Sequence, residues 1–562
     1  MRFSKFKTLV LLIIFISAAC SKDSDNKKIT EKDPIIHSAH LTDGWYPQNE
    51  ITLTRTLKEY FTQAKKEFGF VIDPMSVKGL IVPHAGMYYS GLCAAATYQS
   101  LLLPNGEKND KFKNVIILAP SHTTFVNGVA LPDYSTYKTV LGEIKIDTNA
   151  IRILSKSEIF TVMKEAHDKE HAIEIQLPFL QEVLNDFKIV PLIVGNLTEE
   201  NLAKAVQQLQ KIVDDKTLII VSSDFTHHGQ AYDYKPFTRD TLAQVRYLDS
   251  VATYLIATHS VPNFDKFLRD TGVTICGANP IRILMGLVHL QSLGQTINTR
   301  LACYYTSAQL ANARSGLNRE ILDQVQDDKN NNIINTKKLL EPVEDKLVDN
   351  SVSYAGLILT DQKTSDLNDK DQFTEFEKQS LLRLVRDKIE NEFKPEETKL
   401  PDHILYPIIT PALQKTCGAF VTLNTKQGNL RGCIGRMISD LSLSQVIGEM
   451  AVACAFHDDR FSPVKKDELE NIVVDITILT DPQKVENYQD IKIGSDGIVL
   501  KKIGSDGQII ASSVFLPQVP PSLGWDLQTT LEQLSQKAGL GKHGWKENCE
   551  FEVFQGFEIK EN

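Results

Sequence analysis

Paired cysteines are missing from this chain of 562 residues. Its eight cysteines stand at 20, 93, 276, 303, 417, 433, 454 and 549, and no two form a CxxC. That excludes the tight ligand spacing of a closed structural zinc site. An HExxH helix is also absent, which excludes the zinc-protease motif. No CxxxCxxC is present, so the chain carries no radical-SAM cluster motif of its own. Positive charge is in deficit. Lys plus Arg total 61 against 71 Asp plus Glu, a net charge of −10. No long basic patch with interleaved aromatics occurs, so nucleic acid is excluded as a partner. What the composition does supply is 42% hydrophobic and 23% charged residues, the balance of a globular protein. At ~100–200 residues per domain the length predicts two to four domains.

Residues 1–20 read as a targeting segment. Arg2, Lys5 and Lys7 precede the short apolar core TLVLLIIFISAA. Ser17, Ala18 and Ala19 before Cys20 resemble a bacterial lipoprotein cleavage box, although Ser17 stands at the usual leucine position. The resemblance implies lipidation of Cys20 and an exported, membrane-anchored protein. Ser21 points to the outer rather than the inner membrane. Residues 21–36 form a polar tether. An exported chain meets an oxidising compartment. Seven scattered cysteines beyond Cys20 are not a disulfide framework, yet leave room for one or two bridges. The spacing names no pair.

From 37 to 361, strand-like and helical runs alternate. KGLIVP, NVIILAP, FKIVPLIVG and TLIIVSSD read as buried strands, and ITLTRTLKEYFTQAKKEF, ENLAKAVQQLQKIVDD and NPIRILMGLVHLQSL as helices. This predicts an α/β domain around a largely parallel sheet. LACYYTSAQL and SVSYAGLIL read as late strands, separated by a polar insertion at about 323–350. A polar linker at 362–372 leads to an α+β domain at 373–560. There the repeat KIGSDGIVL, KIGSDGQII predicts hairpin strands.

Three of the strand-like runs end in a turn and then a histidine: LIVPHAGMYYSG at His84, VIILAPSHT at His122 and LIIVSSDFTHHG at His227. TICGANP adds Cys276. Ligands bind where strand ends converge. Three protein ligands with open positions make a catalytic metal site. His84, His122 and His227 are the candidate metal ligands, with Cys276 as ligand or redox thiol. Cysteine favours ferrous iron, copper or zinc over magnesium. Asp224, three residues before His227, is placed to orient an imidazole or to bind metal itself. DKEHAIEIQLPFL adds His171 as acid/base, and Glu170 and Glu174, which a helix sets on one face. His228 and His167 read as peripheral, His167 at the surface.

WYP at Trp45, VPHAGMYYSG, APSH, EHAIEIQLPFL, SSDFTHHG, TICGANP and SVSYAG, in that order, closely resemble the Memo family, protein B of the AmmeMemoRadiSam system. The resemblance covers 37–361. It implies the class III extradiol dioxygenase-like fold and a non-haem iron pocket lined by His84, His122, His227 and Cys276, with Asp224 nearby. GAFVTLNTKQGNLRGCIGRM, AFHDDRFSPVKKDELE and FLPQVPPSLGWD resemble the AMMECR domain, protein A of that system. In it, Arg431 and Cys433 read as a glycine-flanked turn, with Cys433 a candidate nucleophile beside Arg431. A radical-SAM protein is the third member by resemblance. The expectation is a metal-dependent oxidoreductase acting on a small molecule or peptide. A non-catalytic binding module and a metal-dependent hydrolase are the alternatives.

Overall fold

A computed structural model describes residues 34–291, 297–315, 334–340, 343, 348, 350–363, 371–405 and 410–561. Cys20 and its flanks, most of the polar insertion and most of the linker lie outside the described residues. Among the described residues no helix is long and apolar enough to cross a membrane.

The N-terminal domain is built on a mixed twelve-stranded sheet. Its centre is parallel: Lys188–Val194, Asn114–Pro120, Thr217–Ser222 and Val77–Val82 lie side by side in that order. These strands are apolar, largely β-branched runs with no polar alternation, because helices cover both faces and nearly all of their side chains are buried. Val115 to Ala119 are all fully buried. The helices Glu50–Glu67, Glu199–Leu209 and Ala278–Gln291 fall in the predicted stretches, and Met87–Tyr98 is a helix outside them.

Beyond Val77–Val82 the sheet turns antiparallel. Asn350–Thr360 pairs with Val77–Val82 on one side and with Asn298–Thr306 on the other. The predicted late strand LACYYTSAQL is therefore only half a strand. From Ser307 the chain is helical to Ser315, since Thr306 and Gln309 bond each other's backbone N–H groups and start a helix there.

The C-terminal domain holds two antiparallel four-stranded sheets. One runs Leu430–Arg436, Ala419–Thr425, Ile472–Leu479, Gly556–Lys560, and the helices Glu375–Glu392 and Leu443–Phe456 pack beside it. Capping boxes start both helices, Thr374 with Glu377 and Ser442 with Gln445. In the other sheet Gly497–Ile503 and Ile509–Phe515 form the hairpin that the repeat predicts. The two domains are in contact. Phe376 joins the N-terminal core, and Arg300 and Arg246 donate to the carbonyls of Asp371 and Ile404.

Candidate metal centre

Parallel strands end at one edge, so residues that follow them meet there. His84 comes two residues after Val77–Val82, His122 two after Asn114–Pro120, and Ser222 ends the strand between them. The His84 and His122 ring centroids lie 5.1 Å apart. The third imidazole of the cluster is His171, which opens the short helix His171–Glu174. Its ring lies 4.5 Å from that of His122 and 5.3 Å from that of His84. One ligand atom from each of His84, His122 and His171 falls within 4.8 Å of the others, a group that can hold a metal ion. The expected trio had His227 in this place and gave His171 to acid–base work.

At this sheet edge His122, His84 and His227 are each oriented through Nδ1. Nδ1 of His122 donates to Oε1 of Glu170 at 2.8 Å, and its backbone N–H donates to Oε2 at 2.7 Å. Nδ1 of His84 lies 3.0 Å from Ser222 Oγ, whose own hydrogen goes to the Ala172 carbonyl. The serine oxygen can then only accept, so His84 carries its proton on Nδ1. Nδ1 of His227 lies between the carbonyls of Phe225 and Thr274, at 2.9 and 3.0 Å, and must also be protonated. In all three the Nε2 lone pair is left for a ligand.

Burial, together with neighbouring His122, pushes His84 well below the ordinary imidazole range. The same causes lower His171 to about 4. Burial pushes the Glu170 carboxyl up, but the His122 hydrogen bonds outweigh it and hold the carboxyl below its ordinary value. Neutral imidazoles over an ionised carboxylate are the protonation states a metal requires.

Cys276 lies beside this cluster, its Sγ 3.2 Å from His84 Nε2. The Asp224 N–H donates to that sulfur at 3.3 Å. Asp224 itself is buried and accepts the backbone N–H of His84 at 2.8 Å, so it fixes the His84 main chain rather than an imidazole. Burial raises its carboxyl above the ordinary range. His227 stands outside the group of three, with the Tyr232 ring 5.1 Å away.

The roles of several residues named from the sequence emerge only in the fold. The Trp45 ring lies 4.5 Å from that of His171, tilted by 38°. Glu170 and Glu174 do not share a helix face. Glu170 is the N-cap and turns to His122, while Glu174 accepts from Tyr46, Tyr137 and the N–H groups of His40 and Leu41. The EHAIE string contained both carboxylates, but only the fold brings the 40–46 segment to the second. His167 is buried rather than surface-lying, because its nitrogens find Tyr134 Oη and the Ala130 carbonyl. His228 is buried as well.

In the C-terminal domain Cys433 is in a strand, not a turn. Gly432 and Gly435 permit packing there. A Cβ on Gly432 would meet the Cys454 carbonyl at 2.5 Å, and one on Gly435 would strike the Phe420 ring. Arg431 does not serve Cys433. It forks onto Glu468 at 2.8 and 3.2 Å, because a carboxylate is the stronger partner. Cys433 accepts a hydrogen bond from Thr422 Oγ1 at 3.2 Å. Its backbone N–H donates to Asp458, and its carbonyl accepts from Arg460.

A family model described as Memo-like protein matches residues 38–316, and one described as AMMECR1 matches 382–559. The memo-1 homolog of Caenorhabditis elegans is 30% identical over 256 residues, 44% of this chain and 70% of its own. A MEMO1 family protein of Thermococcus onnurineus is 30% identical, covering 49% of this chain and 94% of its own. Protein MEMO1 of Homo sapiens is 27% identical over 50% of this chain and 93% of its own. A solved structure of an uncharacterized Pyrococcus horikoshii protein is 34% identical, covering 32% of this chain and 90% of its own, with a TM-score of 0.28.

Proposed function

Since the chain belongs to the Memo family, with an AMMECR1 domain behind its Memo-like domain, we propose that it is a metal-dependent oxidoreductase that uses non-haem iron at the strand-end cluster. The observation that carries this reading is the tautomer pattern. His84 and His122 hold Nδ1 protonated against Ser222 and Glu170, which leaves Nε2 of each as a ligand. The donor set fits a first-row transition metal, with imidazole nitrogens and a nearby thiol and no ring of hard oxygens. His84, His122 and His171 would hold the ion, with Cys276 and His227 at its side. Bound there, iron would supply one-electron chemistry and activation of oxygen.

The chain's own residues do the rest. Glu170 fixes the orientation of the His122 ring. Asp224 fixes the His84 backbone, and its buried carboxyl retains a proton to higher pH than an ordinary carboxylate. Trp45 packs beside the His171 ring at 4.5 Å. His122, the most exposed of the three, marks the side from which a substrate enters.

Anaerobic purification and metal analysis test the proposal. About one iron per chain is expected, with oxygen consumption on an accepted substrate. Zinc or copper at the same stoichiometry would replace iron in the reading, and zinc without oxygen consumption would favour hydrolysis by activated water. Ligand binding that persists after metal removal, with no turnover, would leave a binding module.

We propose further that Cys20 is lipidated and anchors the chain at the exported side of a membrane. The N-terminal charge and apolar pattern support this. Incorporation of labelled palmitate that persists in a Cys20→Ala variant would overturn it.

A further inference from the structure

Cys93 and Cys303 take no part in the histidine cluster, and both are fully buried. Cys93 lies in the middle of the helix Met87–Tyr98, and Cys303 in the strand Asn298–Thr306. The helix packs on this strand and on its neighbour Asn350–Thr360.

Two contacts set how closely it packs. Gly356 is the cross-strand partner of Cys303, and a Cβ there would meet Thr97 Oγ1 at 1.9 Å. The helix thus sits nearer the sheet than any side chain at 356 would allow. Tyr305 shares a strand face with Cys303, since side chains alternate. Its hydroxyl accepts the Cys93 backbone N–H at 3.3 Å. Beside these contacts the Cys93 thiol reaches down to the Cys303 main chain. Its Sγ is 3.8 Å from the Cys303 carbonyl oxygen, and both cysteines are free thiols in this structure.

We propose that Cys93 and Cys303 are a disulfide pair, joined as the chain folds under oxidising conditions. Two S–H bonds break and one S–S bond forms. The two protons and two electrons pass to a disulfide-bearing oxidant such as oxidised glutathione, which leaves as two thiols. Exchange requires a thiolate, and burial pushes the Cys93 thiol up. The bond therefore forms before the helix closes on the strand and is shielded afterwards.

Other cysteines are placed differently. Cys276 lies beside the histidine cluster, its Sγ 3.2 Å from His84 Nε2. Cys433 and Cys454 face opposite sides of one sheet, because Gly432, not Cys433, points toward the Cys454 sulfur. Cys549 donates to the Gly544 carbonyl. The proposed bridge links positions 210 residues apart, and His122, His171, His227 and Cys276 all lie inside that loop. Closing so long a loop removes much of the freedom of the unfolded chain.

The test uses the full chain. It is unfolded and reduced, refolded in a glutathione redox mixture until its native far-ultraviolet signal returns, then alkylated in denaturant and mapped as peptides. The expected product is one species that links Cys93 to Cys303 and that dithiothreitol separates, while Cys276, Cys417, Cys433, Cys454 and Cys549 carry the alkyl label. Full alkylation of Cys93 and Cys303, or a link from either to another cysteine, would overturn the proposal. Because alanine at either position hollows the core, the second measurement keeps the wild-type sequence. The guanidinium midpoint of the oxidised chain should lie above that of the reduced chain, and reduction in denaturant should be about ten-fold faster than in buffer. Equal midpoints and equal rates would count against the bridge.

Discussion

The His84 cluster and the Cys433 strand look alike in sequence, each with a reactive side chain flanked by glycine, yet they are built in opposite ways. At the first, several polar groups beneath the surface leave a nitrogen lone pair turned outward. Glu170, Ser222 and Thr274 act on the far side of an imidazole. At the second, the polar partners are spent on the backbone. Asp458 and Arg460 take the N–H and C=O of Cys433, which lies on the edge strand of its sheet, much as a neighbouring strand would. One arrangement prepares side chains for a ligand, and the other closes a sheet edge. A reactive residue type is therefore weak evidence until the direction of its supporting hydrogen bonds is known.

That contrast can be broken by experiment. The largest effect is expected from His84→Ala combined with His122→Ala, which should take bound metal from about one per chain to below about 0.1. Retained metal would show that the cluster is not the site. Next comes Glu170→Gln, which keeps the shape but removes the charge. Metal affinity should fall about 10- to 100-fold in competition with a chelator, while the fold survives.

Acid gives a third comparison. In the metal-free chain His84 and His171 have lowered values, so the unfolded chain takes up protons that the folded chain refuses. Stability should fall as pH drops from about 6.5 toward 4, by roughly 1–3 kcal/mol. His40, raised by Glu174, works the other way, gaining its contribution as pH falls. Denaturant midpoints at pH 7 and 4.5 report the net sign, and a midpoint that rises on acidification would contradict this account. Asp458→Ala should destabilise the C-terminal domain by about 1 kcal/mol and leave metal content unchanged. Cys433→Ser should do still less, within about 0.5 kcal/mol, again without touching the metal.

Much of the site was legible because it is local to strand ends. His84 and His122 each follow a strand by two residues, and a parallel sheet puts such positions together whatever the loops do. His171 was legible as a residue but not as a member of the trio. Its place depends on Trp45, His84 and His122, which come to it only in three dimensions. Asp224 was found, but its role was not, since nothing in SSDFTHHG reveals that the carboxylate faces a backbone N–H. The turn read into LRGCIG failed for a related reason. Glycine marks a turn or a close approach equally well, and the approaching groups, Cys454 and Phe420, are supplied by the helix Leu443–Phe456 and the neighbouring strand. The central sheet was readable from its unbroken apolar runs, whereas short strands such as Val129–Leu131 have too few residues to show a period.

One feature of the sheet bears on how the protein is made. Asn350–Thr360 is an interior strand, and it also pairs through Val352 with His227. A ribosome delivers the chain from its N-terminus, so Val77–Val82 waits without its outer neighbour, and His227 without its partner, until position 360 has emerged. The residues of the candidate metal centre are all in hand long before that strand arrives. For that interval the exposed flank of the sheet is a place where chaperones can act, and a nascent chain stalled before 350 should be protease-sensitive in a way that one stalled beyond 360 is not.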